Sequence, residues 1–154
     1  EYSFAVTMCA NPFAWMELTG LDDEEAQILG KIIPQYRLVQ SDLLSGYVLP
    51  VGEEPDGVAW TGFQSIKTQE QGYLLLIREN NREETYRYRL RGLSACRLKL
   101  EGILGSTGQT SAQVDEEGRA VFTLPKAFSY ALYRYQVEKS GDPGICRKER
   151  IINE

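Results

Sequence analysis

Histidine is absent from this 154-residue sequence. Its absence excludes a Ser-His-Asp triad and a Cys-His pair, and it removes the usual ligand of a catalytic zinc ion. Any hydrolytic chemistry would therefore have to rest on carboxylates, lysine or tyrosine.

Cysteine is scarce as well, because Cys9, Cys96 and Cys146 are an odd number and lie far apart. There is no CxxC pair, which argues against a zinc site, and a disulfide framework is not expected in a chain of this size. A single disulfide is not excluded, although the spacing of the cysteines does not support one. The sequence predicts no metal and no cofactor.

Basic residues are outnumbered by acidic ones, with 17 Lys and Arg against 22 Asp and Glu, which gives a formal net charge of −5. A protein that binds nucleic acid through phosphates needs a basic surface, and attraction to an anionic membrane surface needs one too. No apolar run approaches the roughly 20 residues that span a bilayer. We therefore expect neither a nucleic acid nor a membrane as partner, and a soluble protein whose compartment the sequence leaves unknown.

The length suits one ordinary domain and is too short for a complete (β/α)8 barrel, which needs roughly 200 residues or more. The composition includes nine Tyr, five Phe and two Trp, enough for a hydrophobic core. The sequence opens on Glu1 rather than Met and enters apolar residues at once, which predicts a piece of a longer protein.

Helical patterns follow an apolar opening. Residues 2–9 are apolar and predict a buried strand. A helix is predicted over 21–33, with Asp22 and Glu25 at the spacing of a capping box. Ala26, Leu29 and Ile33 share one face of it.

Pro34 is expected to kink or restart that helix. A second helical stretch is predicted over 34–44, with Tyr36, Val39 and Leu43 on one side. Gly46 suits its end.

From residue 46 the repeat of apolar residues changes from 3.6 residues, which is typical of a helix, to 2 residues, which is typical of a strand. Eight short strands are predicted, over 47–49, 58–68, 72–78, 85–91, 96–101, 111–114, 119–124 and 130–137. Residues 115–118 read as the turn of a hairpin between two of these strands. The predicted fold class is mainly β: an antiparallel β-sandwich of about seven or eight strands after an N-terminal strand and helix segment.

Two runs of sequence carry a family resemblance. Residues 52–64 read GEEPDGVAWTGFQ and residues 72–79 read GYLLLIRE. The pair resembles the junction at which the C-terminal β-sandwich begins in bacterial α-galactosidase-like glycoside hydrolases, the melibiase group. Residues 10–18 look like the end of the catalytic barrel in that group, and residues 118–124 and 133–135 look like the closing strands of the sandwich.

The resemblance implies a division of the chain and a role for it. Residues 1–45 would be the last strand and helix of the barrel, and residues 46–154 the sandwich. Enzymes of this group resemble retaining glycosidases that use two aspartates about 5 Å apart. Those aspartates belong to barrel strands that this chain lacks, so no catalytic residue is carried over. The implied function is a non-catalytic domain that packs on and stabilises the parent barrel, with a galactoside and a second copy as further candidate partners.

The alternative is a carbohydrate-binding module that holds glycans through aromatic side chains. Its candidate residues are Trp15, Glu17, Trp60 and Phe63. Trp60 and Phe63 differ in strand parity and so point to opposite faces, which favours a core or interface role. Trp15 with Glu17 reads either as the rim of an active site or as a local packing anchor. Four tyrosines have two interpretations as well, because they could line a carbohydrate groove or belong to the core: Tyr86, Tyr88, Tyr133 and Tyr135.

The charged clusters also have structural interpretations beside functional ones. Residues 22–25 are acidic, which is typical of a helix N-terminus, and residues 115–118 fit a turn better than a calcium loop. A basic sheet face is predicted from Arg87, Arg89, Arg91, Arg97 and Lys99. With a negative net charge we expect that face to be solvated rather than to bind anions. A stand-alone enzyme is the third option, and it would need two carboxylates that converge in a cleft.

Overall fold

The computed structural model of the chain describes residues 1–10 and 20–138. The two helices are α1 (Tyr2–Ala5) and α2 (Asp23–Leu44). The strands are β1 (Tyr47–Gly52), β2 (Trp60–Ile66), β3 (Gln71–Arg78), β4 (Thr85–Arg89), β5 (Cys96–Gly105), β6 (Ser111–Val114), β7 (Arg119–Thr123) and β8 (Ser129–Val137).

The strands form two antiparallel sheets, which confirms the mainly β, sandwich-like fold. The large sheet has the order β1-β2-β3-β8-β5-β6, and the small sheet pairs β4 with β7. One core cluster fills the space between the sheets, and a second lies between the large sheet and the two helices. The layers are therefore helices, large sheet and small sheet.

The prediction of a strand over residues 2–9 is wrong. The segment turns helically, with Ala5 N–H donating to the Glu1 carbonyl and Val6 N–H to the Tyr2 carbonyl. Ala5 and Met8, three residues apart, are its buried apolar side chains. A short apolar run fits a strand or a buried helical turn equally, and here contact with the large sheet selects the turn.

The capping box of α2 is confirmed. Glu25 N–H donates to the Asp22 carboxylate over 2.8 Å, and Asp22 N–H donates to the Glu25 carboxylate over 3.3 Å. The helix does not restart at Pro34 but runs through it. An interior proline costs about 3 kcal/mol, and we infer that burial of the face that packs on the sheet offsets this cost.

That buried face is made of Ile32, Tyr36, Val39 and Leu43, three of which the sequence predicted. The stripe predicted further upstream is wrong, because Ala26 and Ile33 are exposed. At 100° per residue, Ile33 lies a quarter turn from the buried line through Ile32, so it points along the sheet rather than into it.

β3 and β8 lie at the centre of the large sheet, and β3 is buried on both faces as its unbroken apolar run predicted. Leu74 and Leu76 contact the small-sheet side, whereas Tyr73, Leu75 and Ile77 contact the helices. A bulge in β5 between Gly102 and Leu104 reverses the side-chain alternation there, so that Leu104 reaches the helix side.

The predicted hairpin over 111–124 is wrong. β6 pairs with β5 in the large sheet, and β7 pairs with β4 in the small one. The turn between them is present, with Asp115 N–H donating to the Arg119 carbonyl over 2.9 Å, but it crosses from one sheet to the other. The two strands therefore point their apolar residues into the same core from opposite sheets.

β1 is an open edge of the large sheet. Lys67 N–H donates to the Gln71 carbonyl in the β2–β3 turn, and Glu53 N–H, one residue beyond β1, donates to the Trp60 carbonyl over 2.7 Å. By alternation, the even-numbered residues of β2 bond residues 47, 49 and 51 of β1. Pro50 therefore turns its nitrogen to the open edge, where a proline removes one donor from a surface that another strand could pair with.

Candidate functional site

The two runs that carry the family resemblance fold into one brace, which we define as the turn 53–59 with Trp60, Arg78 and Glu79. One Glu79 carboxylate oxygen accepts the backbone N–H groups of Gly57 (2.7 Å), Ala59 (2.9 Å) and Asp56 (3.2 Å). The Glu53 carboxylate accepts Trp60 N–H over 3.0 Å. Both carboxylates are thus engaged in holding the turn.

Arg78 is the cation of the brace and is buried. Its guanidinium donates to the carbonyls of Asn81, Arg82 and Leu124 over 2.6–3.2 Å. It also lies 5.8 Å from the centre of the Trp60 ring. Carbonyl oxygens and an aromatic face therefore hold this cation, a geometry that suits the planar fork of arginine.

The predicted sugar-stacking residues do not form a platform. Trp60 is only 1% exposed and stacks beside Tyr86 in the core between the sheets. Phe63 is half-buried and packs on the opposite, helix-facing side, as its strand parity predicted. Trp15 and Glu17 lie in residues 11–19, outside the described residues, so their roles stay predictions.

The four tyrosines of the predicted groove belong to the core between the sheets. Tyr88, Tyr133 and Tyr135 are buried, and Tyr86 packs against them half-exposed. Burial raises the pKa of Tyr88 and of Tyr135 above the ordinary value, because the phenolate would lose its hydration there. They hold the sheets together and present no groove.

The predicted basic face is also divided. Arg87 and Arg89 point outward from the small sheet, whereas Arg97 and Lys99 point outward from the large one. The two outer faces lie on opposite sides of the molecule, so these cations do not form one patch for an anion.

A polar cluster ties the end of α2 to the large sheet. The Asp42 carboxylate accepts the Tyr73 hydroxyl over 2.6 Å and pairs with the Lys67 ammonium over 2.7 Å. Hydrogen bonds from Lys67 and then from Tyr73 hold the pKa of Asp42 below its ordinary value. Arg134 donates to the Tyr73 hydroxyl and bridges to Glu101 over 2.9 Å. Every member has a partner, so this cluster serves as a clamp.

One end of the sandwich has a surface with irregular backbone, which we call the loop rim and which is made of residues 105–109 and 125–128. The β5 bulge enters it, and Gly105 has a φ of +78°. Phe128 has a φ of +50°, which is rare for a bulky residue, and its side chain is 56% exposed. Bulges and left-handed residues are over-represented next to functional sites, so the loop rim is the candidate site of this structure.

The loop rim is fixed from beneath by hydrogen bonds. Ser106 N–H donates to the Tyr130 carbonyl over 2.7 Å. The Gln109 side-chain amide donates to the Ser111 and Val121 carbonyls over 3.0 and 3.1 Å, which ties the β5–β6 loop to β7. Burial raises the pKa of Tyr133, whose hydroxyl lies 3.4 Å from the Ser106 carbonyl, so that hydroxyl stays protonated at neutral pH.

Of the cavities that border the loop rim, two share Ser106. The one that we call the neutral cleft has a volume of about 610 Å³ and is lined by residues 106–109 with Val121, Thr123 and Pro125. The second, of about 360 Å³, lies between Tyr2, residues 105–106 and residues 126–130. The ring of Phe128 stands at its wall, 5.9 Å from Tyr2 and nearly perpendicular to it.

The chemistry of the neutral cleft is that of binding. The described residues hold no group of three His, Cys, Asp or Glu side chains arranged for a metal ion. Hydroxyl, amide and apolar groups line the neutral cleft, and none of these ionises near neutral pH. Such a surface can hold a ligand but offers neither a nucleophile nor a general acid.

Comparison with protein-family models, with curated proteins and with solved structures gave no match. No helix in the described part of the chain is long and apolar enough to cross a membrane.

The residues of the neutral cleft were missed by the sequence reasoning. Val121 and Thr123 alternate with buried residues and read as an ordinary outer face, and residues 105–109 read as an ordinary loop. One signal of the cleft was present in the sequence. The run GSTGQT at 105–110 is uncharged and has mostly small side chains, whereas a quarter of the residues in the chain are charged. A cleft between two loops depends on the strand order, which that run does not encode.

Proposed function

We propose that this chain is the non-catalytic C-terminal β-sandwich of an α-galactosidase-like glycoside hydrolase, which packs on and stabilises a catalytic barrel. The observation that supports it best is the brace. The runs of sequence that carry the resemblance form a structural unit in which Glu79 and Arg78 make only structural bonds. This structural use of the two runs supports an architectural role for the domain.

The carboxylates support a non-catalytic role. A retaining glycosidase needs two carboxyl groups about 5 Å apart across an open cleft. Glu53 and Glu79 bind backbone N–H groups of the brace, and Asp42 is held by Lys67 and Tyr73. The neutral cleft has no carboxylate in its lining.

The helix layer offers the surface for the barrel. Leu38, on the face of α2 that points away from the sheet, is 85% exposed, and Val6 and Ile33 are exposed on the same layer. Large apolar side chains that stand in water are candidates for an interface. A barrel that packs there would bury them.

The sequence of the reading frame upstream of Glu1 tests whether the chain belongs to a larger protein with a catalytic barrel. We expect it to encode several hundred residues with alternating strand and helix periodicity and aspartates at strand ends. A frame that starts within a few residues of Glu1 would overturn the proposal.

Leu38→Glu tests the interface, compared between the chain alone and the whole protein. In the chain alone we expect a change within about 0.5 kcal/mol, because the side chain is exposed. In the whole protein we expect a loss of about 1–3 kcal/mol, since a charge would enter an apolar contact. Tyr47→Glu, at an exposed site on β1, is the matched control and should be silent in both. Equal, small effects of both variants in the whole protein would refute this interface.

A further inference from the structure

The neutral cleft has the size of a ligand site. Its volume of about 610 Å³ falls inside the range of roughly 300–1,000 Å³ that is usual for small-molecule pockets. It lies between the β5–β6 loop and β7, at the end of the sandwich that holds the β5 bulge, Gly105 and Phe128. The second cavity of the loop rim carries Lys126 and differs in character.

The lining determines the class of ligand. Ser106, Thr107 and Thr123 line the cleft and carry hydroxyl groups. Val121, 45% exposed, and Pro125 add an apolar surface next to them. A cleft that combines donors, acceptors and an apolar wall without a charge suits a neutral ring that has hydroxyls on its rim and C–H groups on its face.

From these observations we propose that the neutral cleft is a binding site for a neutral sugar ring of pyranose size. The C–H face of the ring packs on Val121 and Pro125, and its hydroxyls exchange hydrogen bonds with Ser106, Thr107 and Thr123. An anionic ligand has no cation to pair with in this lining. The inference does not depend on the parent protein, because it rests only on the cleft.

The cleft is shaped before a ligand arrives. Gln109 bridges the Ser111 and Val121 carbonyls and so fixes the distance between the loop and β7. Ser106 N–H is bound to the Tyr130 carbonyl at the other end of the loop. Groups held in place in this way lose little entropy on binding, which favours affinity in a shallow site.

The test is an amide ¹⁵N NMR titration of the full chain with methyl glycosides of galactose, glucose and mannose at millimolar concentration. We expect saturable shifts at Thr107, Gly108 and Thr123 for at least one sugar. Glucuronate should bind more weakly than methyl glucoside, because its charge has no partner. Shifts that do not saturate, that fall outside the cleft, or that favour glucuronate would overturn the proposal.

Two threonines provide matched variants. Thr123 and Thr85 are opposite each other on the exposed face of the small sheet, and only Thr123 lines the cleft. Thr123→Val should weaken the Kd roughly fivefold, the equivalent of about 1 kcal/mol for one hydrogen bond. Thr85→Val should leave the Kd unchanged. Equal effects of the two variants would show that the sugar binds elsewhere.

Val121→Glu gives a second, independent readout. The side chain is exposed, so the variant should keep the melting temperature of the wild type. The new carboxylate would occupy the apolar wall, and we expect the saturable shifts to disappear. Undiminished sugar binding in a folded Val121→Glu variant would place the ligand outside the neutral cleft.

Discussion

The Glu79 carboxylate is the residue on which the brace depends most directly. One of its oxygens accepts three backbone N–H groups, two of them within 2.9 Å. A hydrogen bond to a charged group contributes about 1.5–3 kcal/mol when buried, and less where water competes. Glu79 is half-buried, so we take about 1 kcal/mol for each of the two short bonds and less for the third.

Glu79→Ala is therefore expected to lower the free energy of unfolding by about 2–3 kcal/mol. Glu79→Gln keeps an oxygen that can accept the same N–H groups without the charge, so the loss should be about 1 kcal/mol. The assay is urea unfolding, with the slope against urea concentration unchanged in each variant. Amide hydrogen exchange should rise at Gly57 and Ala59 in the alanine variant.

Glu54 serves as the control, because it is an exposed acid in the same turn. Glu54→Ala should change the stability by less than about 0.5 kcal/mol. A Glu79→Ala variant within that same limit would refute the reasoning. A glutamine variant as unstable as the alanine variant would show that the charge, rather than the acceptor position, holds the turn.

Four further substitutions follow from the structure. Arg78→Lys should cost about 3 kcal/mol in urea unfolding, because one ammonium cannot reach three separate carbonyls. Phe128→Gly should melt higher than Phe128→Ala by the equivalent of about 1 kcal/mol, since only glycine accepts the positive φ without strain. Pro50→Val restores an N–H at the open edge of β1, so sedimentation should show self-association that rises with concentration. Asp42→Asn should lower the stability at pH 7 by a few tenths of a kcal/mol, because the Asp42 side chain is 53% exposed and water screens its pair with Lys67. The lowered pKa of Asp42 means that this contribution is present above about pH 3.8 and is lost at lower pH, where the variant and the wild type should converge.

Most strands could be predicted from the sequence, because the spacing of apolar residues within a strand shows which of its faces are buried. Alternation in β4 put Tyr86 and Tyr88 on the inside and the arginines outside, as the structure shows. The unbroken run of β3 indicated burial on both faces. Such patterns depend on one strand and the presence of a core, and they need no knowledge of neighbours.

The features that the sequence did not predict depend on which secondary-structure elements contact each other. The 115–118 turn has hairpin chemistry, and only the pairing partners show that it joins two sheets. Residues 2–9 were predicted as a strand because the contact that makes them helical comes from distant residues, such as Tyr36 donating to the Met8 carbonyl. The neutral cleft has the same origin, since the strand order brings its two walls, the β5–β6 loop and β7, together.

The position of β8 limits the order in which the protein can be assembled. This strand, the last within the described residues, lies between β3 and β5, so the large sheet consists of two separate halves until residues 129–137 are present. A nascent chain that has not yet released those residues from the ribosome would expose two unpaired strand edges, at β3 and at β5. Such edges are templates for pairing with other chains. We therefore expect synthesis to be the stage at which this protein most needs a chaperone, and fragments that end before Ser129 to aggregate rather than to fold.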